Sequence, residues 1–325
     1  MQIIKHPILC NYYVTYRCNA KCDFCDLWEK PSPYVDLVTV DENLTQLKKL
    51  GVKVIDFTGG EPLLHREIDK ILELAKKKGF ITTLTTNTLL YPKWANKIKG
   101  LVDMLHFSLD ASTAQQHDEM RGVKCFDFVL ESIKLAKSLG EKPDILFSVF
   151  PTNINELQKV YSQISQPNNL VLIINPEFSY GEVNNDNSLK NEQLDYLKVF
   201  SKKKNVYLNS AFIKLRKDGG NKITDPVCKA ASSTVVISPE NKLVLPCYHL
   251  GQKEFPIKNN LIKLYYSKEV ESIKAQEGRL KECEGCVINC YMQPSFAVNI
   301  NKYWFAALPS TLKYNRLKGT WKFLF

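Results

Sequence analysis

Residues 8–25 read ILCNYYVTYRCNAKCDFC, an apolar, β-prone run that passes into a short loop carrying Cys18, Cys22 and Cys25. The spacing is C-x3-C-x2-C, close enough for three thiolates to hold one cluster without long-range folding. Iron–sulfur clusters usually take four thiolates. Three local ones leave one iron open, as a catalytic metal site keeps one position free for its substrate. A closed zinc site would need a fourth ligand from elsewhere in the chain, and zinc stands as the structural alternative.

Outward from this stretch, β-rich runs alternate with helical ones to about Leu208, the pattern of βα units on a parallel sheet. Strands are expected at Ile8–Thr15, Val54–Thr58, Ile81–Thr86, Met104–Leu109, Ile145–Phe150 and Val171–Asn175. Thr39 to Glu42 reads as a capping box opening a helix that stops near Gly51, and helices are expected at Ile68–Lys78 and Phe126–Leu139. Unusual polar residues follow each strand: the cysteine trio, Gly59-Gly60-Glu61-Pro62, Thr85-Thr86-Asn87, Ser108-Leu109-Asp110, Pro151 to Asn153, and Asn175 to Glu177. In a barrel of parallel strands these ends share one face, where such folds build active sites.

The chain has 325 residues, 44% hydrophobic, enough for one large domain and a smaller one. Ten cysteines without a secretory leader pattern point to a reducing, cytoplasmic setting and to metal rather than disulfides. No run reaches the roughly 20 apolar residues of a spanning helix. The formal charge of +10 fits either a solvated lysine-rich surface or an anionic partner.

The C-x3-C-x2-C loop after the first strand, with Phe24 before the last cysteine, resembles the signature of the radical S-adenosylmethionine (SAM) superfamily. The resemblance covers about residues 8–215 and implies an α/β fold, a partial (β/α)6 TIM-like barrel. It implies a SAM-cleaving [4Fe-4S] cluster on Cys18, Cys22 and Cys25, a 5′-deoxyadenosyl radical that abstracts hydrogen, and an electron donor such as flavodoxin or ferredoxin. Gly59, Gly60, Glu61 and Pro62 resemble the family's GGEP element, which contacts the SAM amino group. Ser108 and Asp110 resemble the element that reaches the ribose, and Arg121 resembles an arginine that binds the carboxylate; Thr86 and Asn87 are expected in the same pocket.

Past Asp218 the alternation stops. Residues 1–218 are assigned to the core, 219–295 to a cysteine-rich domain and 296–325 to a tail. Val235–Ser238 and Lys242–Leu245 read as a hairpin between Cys228 and Cys247, followed by Cys283, Cys286 and Cys290. This group resembles the C-terminal auxiliary-cluster domain called twitch, or a reduced SPASM domain. The resemblance implies a second [4Fe-4S] cluster on four of the five, with Cys290 a spare or a replacement within the CxxC pair; zinc is again the alternative. Cys10 and Cys125 read as ordinary buried thiols.

Phe296 to Phe325 has five lysines or arginines, no acid and several aromatics, suiting a membrane surface, an anionic ligand or packing over the barrel's end. No nucleic-acid module is visible. His106 reads as core and His65 as a cap, while Tyr248, His249 and Glu177 are candidates to meet substrate. The expected activity is hydrogen abstraction from a small molecule, leading to oxidation or rearrangement. A SPASM-type peptide maturase is the second reading, and a non-catalytic zinc protein binding nucleic acid or a partner is the remote one.

Overall fold

The computed structural model describes residues 3–178 and 188–320. Six parallel strands run in chain order: β1 (Leu9–Thr15), β2 (Val54–Gly59), β3 (Ile81–Thr86), β4 (Met104–Ser108), β5 (Asp144–Val149) and β6 (Leu172–Pro176). Each lies within a residue or so of its expected position. Helices α1 (Leu37–Lys49), α2 (Ile68–Lys77), α3 (Tyr91–Ile98), α4 (Ala114–Arg121) and α5 (Phe126–Ser138) separate the first five. A two-residue β7 (Val206–Tyr207) pairs with β6 at one end of the sheet.

At the other end the sheet continues into the cysteine-rich segment. β8 (Thr234–Ile237) pairs parallel to β1, β9 (Lys242–Leu245) pairs antiparallel to β8, and β10 (Lys253–Pro256) follows. The order β10-β9-β8-β1-β2-β3-β4-β5-β6-β7 makes an open, partial barrel of one ten-stranded sheet. A parallel sheet that does not close exposes backbone donors and acceptors at its edge, and β8 supplies β1 with a partner.

Side-chain alternation divides the sheet's two faces. Cys10, Tyr12, Val14, Ile55, Phe57, Leu84, Leu105, Phe107, Ile145, Phe147, Leu172 and Ile174 pack outward with the helices in the main core. Asn11, Tyr13, Asp56, Thr58, Thr83, Thr85, His106 and Ser108 alternate with them and face inward, so the lumen is polar. One helix start differs from expectation. Asp36 caps α1 by accepting from Thr39 N at 2.9 Å, so the helix opens two residues before Thr39. The carboxylate three residues upstream takes the N–H of Thr39 itself, which places Thr39 inside the first turn rather than at its cap.

The tail turns inward. In helix Lys302–Lys318, Lys302 pairs with Asp218 at 2.7 Å and Lys313 donates to the carbonyls of Ser201 and Lys203. Lys318 and Tyr314 reach Asp144 at 2.8 and 2.7 Å, and His106 lies 3.6 Å from the same carboxylate. Lys318, with Tyr314, plugs the base of the barrel, while Lys302 and Lys313 tie the helix to neighbouring segments. Trp321, Phe323 and Phe325 lie outside the described residues, within which no helix is long and apolar enough to cross a membrane. Removing one partner of a buried ion pair costs about 3–5 kcal/mol. Asp144→Ala is therefore expected to lower the melting temperature sharply, whereas Asp195→Ala, which breaks an exposed pair with Lys217, should hardly change it. Equal, small shifts in thermal denaturation would refute this role for the tail.

Candidate active site

The cysteine loop leaves β1 at its C-terminal end and is clamped by the glycines that follow β2. Gly60 N donates to Thr15 O at 3.1 Å and Glu61 N to Arg17 O at 2.9 Å. A Cβ on Gly59 would lie 1.9 Å from Thr15 O, and one on Gly60 2.3 Å from Arg17 O. The glycines thus admit the backbone of this chain's own cysteine loop. On the opposite side Lys21 N donates to Arg121 O at 3.0 Å, and a Cβ on Gly122 would meet Lys21 O at 2.3 Å.

One cleft at this rim is lined by Cys18, Cys22, Phe24, Cys25, Gly59, Gly60, Glu61, Thr86, Asn87, Ser108 and Arg121. Two expected residues stand behind it. Pro62 is buried at the start of a 3-10 turn. Asp110 is fully buried, accepts from Ser148 N at 2.9 Å and forms an ion pair with Arg121. Its backbone is held as well, by His117 Nδ1 accepting its N–H and Asn153 Nδ2 donating to its carbonyl. The structure therefore places Asp110 as the partner that orients Arg121, and Asn153 as its support.

Glu61 is 1% exposed and accepts from Leu63 N, Thr86 Oγ1 and Asn87 N at 2.9–3.0 Å. Burial nonetheless pushes its carboxyl up to about 7, against the pull of those bonds. Burial alone would lower the Arg121 guanidinium, but Asp110 and the Cys22 sulfur reverse this and keep it charged. Its Nη1 lies 3.9 Å from Cys22 Sγ and its guanidinium 5.3 Å from the Phe24 ring centre.

Burial raises all three thiols, Cys18 to about 12 and Cys25 to about 11, so a bound cation must offset their deprotonation. Backbone N–H groups two residues on serve Cys18 (Ala20, 3.4 Å) and Cys25 (Leu27). The same device recurs at Cys228 with Ala230, Cys247 with His249, and Cys286 with Ile288. Cys283 receives the N–H groups of Leu280 and Gly278. Cys290 lacks such a donor two residues on; burial and the neighbouring Cys247 sulfur raise its thiol, and its Sγ is 3.8 Å from His249 Nε2. Hydrogen bonds to sulfur are one of the levers by which proteins tune iron–sulfur clusters.

Zinc would draw its thiolates to about 3.8 Å apart, from tetrahedral Zn–S bonds near 2.3 Å. Among the described residues, only His117, Asp118 and Cys125 bring three such ligand atoms within 4.8 Å of one another. That trio is already self-satisfied. His117 Nδ1 accepts from Asp110, so Nε2 carries the proton that faces Cys125 Sγ at 3.3 Å, leaving the ring no lone pair for a metal. Cys10 is buried in the core.

Thr85, read with Thr86 and Asn87 at the end of β3, lines the cleft; Thr58 and Trp28 were missed in the sequence. Thr58 was findable from the inward alternation of β2; Trp28 sits in the short turn Leu27–Glu29, with no pattern to mark it. Trp28 Nε1 and Arg121 Nε are buried donors without a hydrogen-bond partner among the described residues, suited to a ligand rich in acceptors. Tyr248 stacks on Tyr13 at 4.7 Å and meets Lys30 through its hydroxyl at 2.6 Å, joining the first cysteine loop to Cys247. His65 donates to Val35 O at 2.7 Å and is structural.

An open parallel barrel with a thiol-bearing cleft at its C-terminal rim defines the class. Residues 12–164, just under half of the chain, match the radical SAM superfamily model. It is 26% identical over 168 residues to the Fe-coproporphyrin III synthase of Methanosarcina barkeri, covering 50% of this chain and 42% of that protein. It is 28% identical over 262 residues to a probable GTP 3′,8-cyclase of Sulfurisphaera tokodaii, covering 75% and 82%. The solved structure of native anSMEcpe with bound AdoMet superposes with a TM-score of 0.64 at 17% identity, over 96% of this chain and 98% of that one. Against most of the curated relatives it matches, the chain spans about half their length.

Proposed function

We propose that the protein is a radical SAM enzyme acting on a small molecule. Cys18, Cys22 and Cys25 would hold the [4Fe-4S] cluster, and Glu61, Asn87, Ser108 and Arg121 would hold SAM. The single observation that carries this is the convergence of three thiols, two buried donors without partners and an ion-paired arginine in one cleft. Bound there, cluster and SAM supply reductive cleavage to a 5′-deoxyadenosyl group that takes hydrogen from substrate.

The chain's own residues do the holding. Asp110 fixes the Arg121 guanidinium, whose free Nε suits a carboxylate. Glu61 organises the β3 end through Thr86 and Asn87, while Phe24 and Trp28 wall the cleft against water. Cys228, Cys247, Cys283 and Cys286 would hold an auxiliary cluster, with Cys290 left free; the N–H donors aimed at those four sulfurs support this choice. Anaerobically reconstituted protein, reduced with dithionite in the presence of SAM, is expected to release 5′-deoxyadenosine and methionine. Intact SAM despite a reduced cluster would overturn the proposal.

A further inference from the structure

Asp56 lies on the inward face of β2, two residues and about 6.6 Å deeper into the lumen than the cleft residue Thr58. In the strand registers Asn11 and Thr83 are its neighbours, so three adjacent strands present an amide, a carboxylate and a hydroxyl at one level. The carboxylate has a single weak contact, from Thr83 Oγ1 at 3.4 Å, and no cation pairs with it among the described residues. Other inward carboxylates are matched, Asp110 by Arg121 and Asp144 by Lys318. Asp56 is half-buried in the lumen, and a carboxylate withdrawn from water without a partner cation favours a ligand that supplies one.

Desolvation in the lumen lifts Asp56 to about 7. The stacked rings of Tyr13 and Tyr248 add an electron-rich wall along the same inward face of β1. Phosphate or carboxylate groups driven this deep would meet like charge.

We propose that Asp56 anchors a positively charged nitrogen of the substrate, so that the small molecule is an amine, amidine or guanidine whose charged end enters the lumen first. This rests on the radical reading above and names the substrate class for that same site. Such a group fills the unused lone pairs of the carboxylate with charge-assisted hydrogen bonds and offsets its partial desolvation.

Calorimetry on the reconstituted, SAM-bound protein tests this with agmatine, n-butylamine and spermidine as probes, against n-butanol and butyrate. At least one amine is expected to bind at least about tenfold more tightly than the alcohol or the acid, and Asp56→Asn should abolish that preference. The variant's iron content and SAM affinity, measured alongside, show that it is folded and loaded. Equal binding of amine and alcohol, no binding of any amine, or a preference that survives in Asp56→Asn overturns the assignment. Loss of SAM binding by the wild-type protein would instead count against the radical reading.

Discussion

Reconstituted protein is expected to bind about eight irons and the Cys18→Ala/Cys22→Ala/Cys25→Ala variant about four, the count for two four-iron clusters of which one is lost. The variant should release no 5′-deoxyadenosine, the largest functional effect available in this chain. The two cysteine groups are held by separate backbone devices, one at the β1 rim and one around the β8–β9 hairpin and Cys283 to Cys286, so each should load without the other. A Cys228→Ala/Cys247→Ala/Cys283→Ala/Cys286→Ala variant is the complement, keeping about four irons together with SAM cleavage. Iron, sulfide and zinc analysis reads both. Tightly bound zinc in place of iron, or eight irons retained in the triple variant, would refute the assignment.

Gly60→Ala should abolish assembly of the first cluster while leaving the second. Its new methyl group would stand 2.3 Å from Arg17 O and 2.4 Å from Tyr16 O, both backbone atoms that cannot swing aside. Forced overpacking costs about 1–3 kcal/mol, and more where backbone atoms block relaxation, and here it falls on the segment that carries Cys18. The iron content should drop by half and SAM cleavage should vanish. Gly140→Ala is the control, since its added Cβ would meet nothing within 4 Å and only the left-handed backbone is strained. Full iron loading in Gly60→Ala would show that the loop tolerates displacement and that the clamp is not what positions the thiols.

Much of this site was legible because it is local. Cys18, Cys22 and Cys25 share one loop, and the alternation that marks β1 to β6 also marks which ends meet at the rim. The role of Gly59 and Gly60 was only half legible: glycine announces a close approach, yet not that the approaching backbone is the chain's own residues 15–17. Asp110 read as a ligand contact and is a buried support for Arg121, because its partner lies on α4 and no spacing rule links the two. Tail composition was ambiguous for the same reason. Lys302, Lys313 and Lys318 look like a basic surface until Asp218, Asp144 and two backbone carbonyls are brought beneath them.

By itself the sequence determined the parallel βα order, the grouping of the first three cysteines in one loop and the rim on which they sit, since each depends on periodicity or on neighbours within a few residues. Tertiary structure alone decided that the C-terminal hairpin extends the barrel sheet, that a lysine from the last helix plugs its base, and that Asp56 faces the lumen without a cation. These are pairings between segments far apart in the chain, and local propensity carries no term for a partner that only folding brings near.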